Sequence, residues 1–212
     1  MKRIVRSAAD KGYAIYAGVE PEFIAMRWKD GQPVKAIDND PQPGDGLRPR
    51  RQAFGYDVEY SFDSMGFLGE LIDILEELGW NLHDVVAEGA YSQFELDFHY
   101  TDVLAMADRL VFLRVLLKEV AKKHGMFITF MPKPTTGDWR SGAHMNTSMQ
   151  RIDNLGVNIF EGANKQWGDP VYNAVGGLLR HGGALTAISC PTVNSYNGLV
   201  PRVGGFEGGT VT

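Results

Sequence analysis

Residues 13–28 form a stretch rich in aromatic and β-branched residues, and two glutamates stand in its second half. Its approximate alternation is typical of a β-strand or a bent hairpin. Glu20 and Glu22 are two residues apart, so in a strand both carboxylates lie on one face, a few ångströms from each other. The apolar neighbours Val19 and Phe23 indicate partial burial. Carboxylates this close repel each other unless a cation lies between them or one is protonated, and a solvated edge strand is the alternative.

The spacing of apolar residues along the rest of the chain indicates a fold that mixes helices with strands. Residues 29–56 are rich in Pro, Gly, Asp and Arg and predict a long loop. We therefore expect an α+β fold in which helices pack on a largely antiparallel sheet. The predicted helices are 1–12, 64–80, 101–125 and 173–188, and the further predicted strands are 84–88, 93–99, 126–132 and 142–149.

Residues 101–125 carry the strongest helical pattern. Thr101 is a suitable N-cap, and Lys122 and Lys123 lie near the expected C-terminus, where positive charge is favourable. Gly125 would end the helix. Wide apolar stripes predict that the helix lies in the core rather than on a partner-binding surface. The residues of these stripes are Leu104, Leu110, Val111, Leu113, Leu117 and Val120.

The overall composition argues against several classes of protein. Lys and Arg number 21 and Asp and Glu number 26, and the net charge of −5 gives no electrostatic reason to bind nucleic acid or an anionic membrane. No run of about 18 uncharged apolar residues predicts a transmembrane helix. The single cysteine, Cys190, excludes an intrachain disulfide and a cysteine-rich zinc site. These features predict a cytoplasmic protein.

Three further residues could join the glutamate pair in a metal site. Glu88 and Glu95 flank a predicted turn that would bring their carboxylates toward one point, although two surface glutamates near a turn are the alternative. His144 shares a face of its alternating stretch with Asn146 and Ser148, but a lone histidine is more often structural than a ligand. Glutamates with one histidine and no cysteine favour Mg²⁺ or Mn²⁺ over structural zinc. The chain has neither a P-loop motif nor a G-x-S-x-G elbow.

Several blocks of the sequence resemble the glutamine synthetase catalytic domain. They are VEPEF, the run from EGAYSQFELDF through the long helix to KKHG, FMPKP followed by SGAHMNTSM, and ALTAISCPTVNSY with the later LVP. The blocks occur in the family's order over about residues 1–201. That order is more specific than any one block, and it favours the metal interpretation of the glutamates.

The resemblance implies an ATP-dependent ligase with a guanidino-kinase-like architecture that joins glutamate to ammonium or an amine through γ-glutamyl phosphate. It also implies two or more Mg²⁺ or Mn²⁺ ions. Glu22, Glu88 and Glu95 would hold the ion that positions glutamate and polarises the γ-phosphate. Glu20 and His144 would contribute to the ion that faces the ATP phosphates. Phosphoryl transfer depends on this kind of positioning and charge neutralisation.

The same resemblance implies where the nucleotide and the substrates bind. The implied nucleotide contacts are Tyr100, Asn146 and Ser148, and Asn146 stands where the family usually has a second histidine. The expected glutamate contacts are Gly142 and two cations of this chain that do not belong to the family pattern, Arg140 and Arg202. The implied catalytic acidic residue, at the ammonium site, is Glu207.

Three departures from the family pattern affect the substrates. Trp139-Arg140 replaces an Asn-Gly pair that helps to hold the α-amino group of glutamate. Gly198 replaces the arginine that holds the substrate carboxylate. Arg202 is the favoured substitute cation and Arg140 the less favoured one, because Arg140 would repel the α-ammonium group of glutamate; two solvated surface arginines are the alternative. Glu207 lies later than the usual acidic residue. Similar rearrangements occur in the branch that makes γ-glutamyl amides from methylamine, alkylamines or anilines, so the sequence favours an organic amine.

The resemblance covers only part of the family's structure. Residues 1–212 correspond to a partial catalytic domain, and we expect the family's N-terminal small β domain and C-terminal part to be absent. The family assembles as double rings, which implies a homo-oligomer for the full-length protein. Two alternatives stay open: a non-catalytic paralogue or fragment that keeps the fold without a complete active site, and a guanidino-kinase-like phosphotransferase.

Overall fold

The computed structural model describes residues 1–37, 55–56, 65–135 and 139–197. Helices and antiparallel strands are mixed in it, which confirms the predicted α+β class. The described helices are α1 Lys2–Ala9, α2 Met65–Glu77, α3 Val103–Lys123, α4 Asp169–Arg180, α5 Gly182–Ser189 and α6 Val193–Tyr196, with a 3₁₀ turn at Ala163–Lys165. The described strands are β1 Tyr13–Lys29, β2 Gln32–Lys35, β3 Leu82–Ala87, β4 Gln93–Phe98, β5 Thr101–Asp102, β6 Phe127–Thr129, β7 Ala143–Arg151 and β8 Asn154–Asn158. Among the helices of these ranges, none is both long and apolar enough to cross a membrane.

The chain divides into two compact units. The first contains Met1–Val19, Tyr100–Leu110 and Met145–Val193. The second contains the described residues of Glu20–His99, Val111–His144 and Asn194–Thr212.

The first unit contains α1, the start of β1, the start of α3 and the helices α4 and α5. Tyr16 of β1 lies opposite Asp102 of β5, and β7 pairs with β8. The sequence predicted a helical stretch over 173–188 that two Gly pairs interrupt, and the structure has two separate helices there, α4 and α5. The backbone leaves the helical region at His181, where φ is −105° and ψ is 11°, and the second helix begins directly after it.

The predicted loop 29–56 is wrong at its start, because β2 pairs with the end of β1. Asp30 and Gly31 form the two-residue connection, with φ values of 50° and 75°. Both residues are in the left-handed region, as a tight hairpin turn of this length requires. The Asp-Gly pair was therefore a hairpin signal that the loop prediction missed. Residues 38–54 of that loop lie outside the described residues.

The core of the second unit is built around the C-terminal half of β1. This segment pairs with β4 on one side and with β6 on the other, and β3 pairs with β4. Phe23 is fully buried and lies opposite Phe94 across the β1–β4 pair. Its ring centroid is 6.4 Å from Phe67, 6.0 Å from Phe94 and 6.2 Å from Phe130. This aromatic cluster supports one face of the sheet and leaves the other face for polar side chains.

Helix α3 begins one residue later than a Thr101 cap would give. Thr101 and Asp102 are in β5, and the carboxylate of Asp102 accepts hydrogen bonds from the N–H groups of Leu104 (2.9 Å) and Ala105 (3.2 Å). Asp102 is therefore the capping residue. At the other end Gly125 has a φ of 67°, as expected for a glycine that follows a helix.

The core prediction for α3 holds for only part of its apolar stripes. Leu113, Leu117 and Val120 are buried, and Leu104 and Leu110 are partly buried. The prediction for Val111 is wrong, because its side chain is 69% exposed. The stripes were drawn wider than the buried face of the helix.

We predict that Leu117→Ala lowers the free energy of unfolding by about 2–5 kcal/mol. Leu117 is fully buried, so its truncation removes contacts and leaves a cavity. Val111→Ala on the same helix is the matched control, and we expect it to change stability by about 0.5 kcal/mol or less. Urea unfolding followed by circular dichroism measures both variants. Equal midpoints for the two variants would contradict the placement of Leu117.

Candidate metal centre

Acidic side chains form a compact array on the paired strands β1 and β4. Glu22 lies directly opposite Glu95 in the antiparallel register. Glu20 is two residues before Glu22, and Asp97 is two residues after Glu95, so the period of a strand places all four on one face. Like charges directly opposite each other destabilise a strand pair. The array therefore needs a cation or protons to be stable.

The ligand atoms of this array lie close enough to share a metal ion. One group is formed by Glu22, Glu95 and His144, and a second by Glu20, Glu95 and Asp97. Within each group the ligand atoms all lie within 4.8 Å of one another. This grouping differs from the one that the family resemblance implied, because His144 lies with Glu22 rather than with Glu20.

Glu88 lies beside the array without belonging to either group. It follows β3, and the turn that leads into β4 is closed by a hydrogen bond from the Glu88 N–H to the Gln93 carbonyl (2.9 Å). The charge of Glu88 helps to raise the pKa of both Glu22 and Glu95. The turn therefore brings Glu88 near the other carboxylates.

Gly142 forms a close-fitting cradle for Glu22. The Glu22 N–H donates to the Gly142 carbonyl (3.2 Å), and Oε1 of Glu22 is 3.9 Å from Nε2 of His144. A Cβ atom at position 142 would lie 2.9 Å from Oε1 of Glu22 and 3.5 Å from Nε2 of His144. A side chain there would displace the carboxylate, so glycine is required for this approach.

Burial and mutual repulsion alter the acidity of the array. Burial, followed by the charges of Asp97 and Glu88, raises the pKa of Glu95 to about 8. Burial also raises the pKa of Glu22, although a hydrogen bond from the Gly142 backbone opposes the change. Burial and the charge of Glu20 raise the pKa of Asp97. A cation bound here would reverse these shifts by stabilising the charged carboxylates.

The residues present fit a divalent metal ion. Oδ1 of Asp97 is buried and accepts no hydrogen bond from the residues that the structure describes. The open cradle at Gly142 leaves Oε1 of Glu22 facing His144. Carboxylate oxygens with a single imidazole form a donor set suited to Mg²⁺ or Mn²⁺. These acidic groups could therefore bind such an ion.

Three residues of this region were not predicted from the sequence. Asp97 could have been found, because it follows Glu95 at the same period of two that drew attention to Glu20 and Glu22. Gln93 makes a 2.6 Å hydrogen bond from Nε2 to Oε2 of Glu22, across 71 residues of sequence, and no local pattern indicates it. Tyr56 donates its N–H to the Ala87 carbonyl (2.6 Å), and the charge of Glu88 raises the pKa of its phenol.

The other candidate residues belong to neither ligand group, and some lie outside the described residues. Tyr100, Asn146 and Ser148 belong to the first unit, whereas the acidic array belongs to the second. The backbone carbonyl of Arg140 accepts a hydrogen bond from Gln93 Nε2 (2.9 Å). Arg202 and Glu207, like the substitution at Gly198, lie outside the described residues.

Trp139 has a specific position beside the acidic turn. A Cβ atom added to Gly89 would lie 2.7 Å from Cδ2 of the Trp139 indole. The indole therefore lies against the backbone of the residue that follows Glu88. The Trp-Arg departure noted in the sequence places a large aromatic ring at this edge of the array.

Comparison with protein families identifies one match over almost the whole chain. Residues 1–206 match the model of the glutamine synthetase catalytic domain. This match covers the acidic array and the strands that carry it.

Similar curated proteins include glutamine synthetases and a glutamate–methylamine ligase. The chain is 35% identical over 199 residues to a glutamine synthetase of Rhizobium leguminosarum bv. phaseoli, covering 92% of this chain and 43% of that protein. It is 32% identical over 204 residues to a glutamate–methylamine ligase of Methyloversatilis universalis, covering 94% of this chain and 43% of that protein. The chain thus spans less than half the length of the curated relatives it matches.

A solved structure of the protein GmaS in its ligand-free form has a similar fold. Its TM-score is 0.81 at 33% sequence identity, over 93% of this chain and 44% of the GmaS chain. The likeness extends over nearly all of this chain but less than half of the GmaS chain.

We predict that Glu22→Ala weakens Mn²⁺ binding at least tenfold. Even residues that only support a ligand contribute about 10–100-fold to metal affinity, and Glu22 presents an oxygen directly. Isothermal titration calorimetry with MnCl₂ measures the effect. Glu22→Gln separates the loss of charge from the loss of volume. Glu77→Ala on the exposed end of α2 is the control, and an equal loss there would contradict the assignment.

We predict that the metal-free protein loses stability as the pH rises from 5 to 8. The pKa of Glu95 is raised from 4.5 to about 8, so in this window the folded protein holds a proton that the unfolded chain has lost. The free energy of unfolding then falls with rising pH, while Mn²⁺ affinity rises because protons compete less for the site. Calorimetric melting in the presence of a chelator tests the first effect. Glu95→Gln should flatten the slope, and an unchanged slope in that variant would contradict the explanation.

Proposed function

The chain belongs to the glutamine synthetase family, and from this premise we propose that it forms the metal-binding part of an ATP-dependent glutamate–amine ligase. The observation that carries the proposal is the carboxylate array in which Glu22 faces Glu95 next to His144. A ligase that passes through an acyl phosphate must neutralise and position phosphate oxygens. An oxygen-rich site that holds divalent cations is suited to this task, because the cations supply the positive charge.

Two divalent ions, Mg²⁺ or Mn²⁺, are proposed for the array. Glu22, Glu95 and His144 would hold one ion, and Glu20, Glu95 and Asp97 would hold the other. When bound, the ions would supply charge neutralisation and polarise the γ-phosphate of ATP for transfer to the glutamate side chain. Glu88 adds negative charge beside both groups.

The chain's own residues hold the ligands in position before any ion binds. The β1–β4 pairing sets Glu22 against Glu95, and the buried Phe23–Phe94 pair stabilises that register from the other face. Gly142 keeps the space beside Oε1 of Glu22 open. Such preorganised placement lowers the cost of rearrangement during phosphoryl transfer.

ATP binding is proposed for residues of the first unit. Tyr100 is an exposed aromatic residue whose ring packs edge-on against Tyr16 at 5.9 Å between centroids, so its other surfaces are open to a nucleotide base. Asn146 and Ser148 share one face of β7. These residues would contact the nucleotide in the proposed complex.

The second substrate is proposed to be ammonium or an organic amine. The Trp139 indole against Gly89 lies next to Glu88, and it favours an organic amine because an aromatic wall suits an alkyl or aryl group better than ammonium. One curated relative is named for methylamine and another for glutamine synthesis, at similar identity. Arg140, Gly142 and Arg202 remain the proposed glutamate contacts, and Glu207 the proposed acid of the amine site. We also propose that the full-length protein is a cytoplasmic homo-oligomer.

We predict that ADP release from ATP depends on glutamate and on one preferred amine. The assay uses Mn²⁺ or Mg²⁺ and compares ammonium, methylamine and aniline, with mass spectrometry of the γ-glutamyl amide as the product readout. It is run on the 212-residue chain and on any longer protein that contains it. Glu22→Ala should abolish product, whereas Glu77→Ala should retain it. These proteins could instead bind metal and ATP but release no ADP in response to glutamate. That result would contradict the proposed ligase activity and favour a non-catalytic paralogue.

A further inference from the structure

A buried glutamine links the separate chain segments that supply the acidic array. Gln93 is 1% exposed and stands at the start of β4, two residues before Glu95. We propose that Gln93 is a positioning residue that holds Glu22 in a one-oxygen ligand geometry and fixes its distance from the segment that carries His144. The inference rests on the proposed metal centre but not on the ligase reaction.

The side-chain amide of Gln93 uses its hydrogen-bonding groups in one specific arrangement. Nε2 donates to Oε2 of Glu22 (2.6 Å) and to the backbone carbonyl of Arg140 (2.9 Å). Oε1 accepts from the N–H of Ala90 (3.0 Å). The opposite orientation of the amide would place its oxygen against a carboxylate and a carbonyl, and its NH₂ against an N–H donor. The hydrogen-bonding chemistry therefore determines the orientation of the amide.

This arrangement divides the roles of the two Glu22 oxygens. Oε2 is occupied by the Gln93 amide, and Oε1 faces Nε2 of His144 at 3.9 Å. The space beside Oε1 is open only because residue 142 is glycine. Glu22 can thus present Oε1 to a metal ion while Oε2 stays held. A free glutamate opposite Glu95 would instead be pushed away by the like charge.

Gln93 also sets the position of the segment that leads to His144. Its hydrogen bond to the Arg140 carbonyl spans 47 residues of sequence and lies directly before Ser141 and Gly142. Ser141 is itself buried, with Oγ 3.5 Å from Nε2 of Gln93. One side chain therefore contacts both Glu22 and the backbone that precedes His144.

The backbone of the same residue closes the turn that carries Glu88. The Gln93 N–H donates to the Ala90 carbonyl (3.1 Å), and the Gln93 carbonyl accepts from the Glu88 N–H (2.9 Å). Residues that orient metal ligands commonly contribute about as much to affinity as some ligands do. Gln93 makes hydrogen bonds to three segments around the array: β1 at Glu22, the backbone at Arg140 and the turn that carries Glu88.

The test compares Mn²⁺ binding in variants of Gln93 with a matched buried glutamine. Gln93→Met keeps the length of the side chain and removes both donors, and Gln93→Glu places a second acceptor against Glu22. Gln150 is 7% exposed, and its Oε1 accepts from the Gly156 N–H (2.8 Å) in the other unit, so Gln150→Met is the control. Calorimetry with MnCl₂ alone needs neither ATP nor an amine.

We expect Gln93→Met to weaken Mn²⁺ binding about 10–100-fold and Gln93→Glu to weaken it further, with Gln150→Met unchanged. The electron paramagnetic resonance spectrum of bound Mn²⁺ should also change in Gln93→Met. In a Glu22→Ala background, Gln93→Met should weaken Mn²⁺ binding less than it does in the parent protein, because part of its action passes through Glu22. If the role of Gln93 were purely structural, Gln93→Met would lower the free energy of unfolding equally in both backgrounds. Its effect on Mn²⁺ affinity would then not depend on Glu22.

Affinity within twofold of the parent protein in folded Gln93→Met would overturn the proposal. Additive losses in the double variant would also overturn it. If Gln93→Met does not fold, Gln93→Asn replaces it, because its amide is one methylene too short to reach Glu22 and Arg140 together. Unchanged Mn²⁺ affinity in Gln93→Asn would then overturn the proposal. Ligase activity can fail while all of these binding results hold, so the two proposals are tested separately.

Discussion

The repulsion between Glu22 and Glu95 is the constraint on which the rest of the site depends. The two carboxylates lie directly opposite each other on paired strands, and burial makes their charges still less favourable. The same pairing places Phe23 opposite Phe94 on the other face, where burial of two aromatic rings stabilises the register. Packing on the hydrophobic face therefore stabilises the strand pairing against the repulsion between the carboxylates. A bound cation would neutralise the repulsion that remains.

Two neutral residues beside this pair help to fix the position of the Glu22 carboxylate. Gln93 holds one oxygen of Glu22, and Gly142 leaves room beside the other. Neither residue carries charge, and neither would attract attention as a ligand. Their value lies in orienting a side chain that has several rotatable bonds and a like-charged neighbour. The metal binding proposed for this chain would thus depend on neutral residues as well as on the glutamates.

Much of the architecture could be predicted from local patterns, and the errors have physical causes. The acid-bearing strand and the long helix were predicted close to their observed bounds, because period and capping signals are local. Thr101 was the wrong cap because pairing with β1 recruits it into a strand. Val111 was wrongly placed in the core because the apolar stripe is wider than the surface that α3 buries. The Asp30–Gly31 hairpin was missed because the loop was predicted from the Pro, Gly, Asp and Arg content of residues 29–56. An Asp-Gly pair is itself typical of a two-residue hairpin turn.

By itself, the sequence determined that Glu20 and Glu22 share a face, because side chains alternate along any strand. It also determined the family, through blocks in a specific order that the family match confirms. Only the tertiary structure decided that Glu95 stands opposite Glu22, that Asp97 joins the array, and that His144 lies with Glu22. It alone revealed Gln93, whose contact with Glu22 spans 71 residues. Strand register and contacts at such separation arise from packing of the whole unit, which no short stretch of sequence encodes.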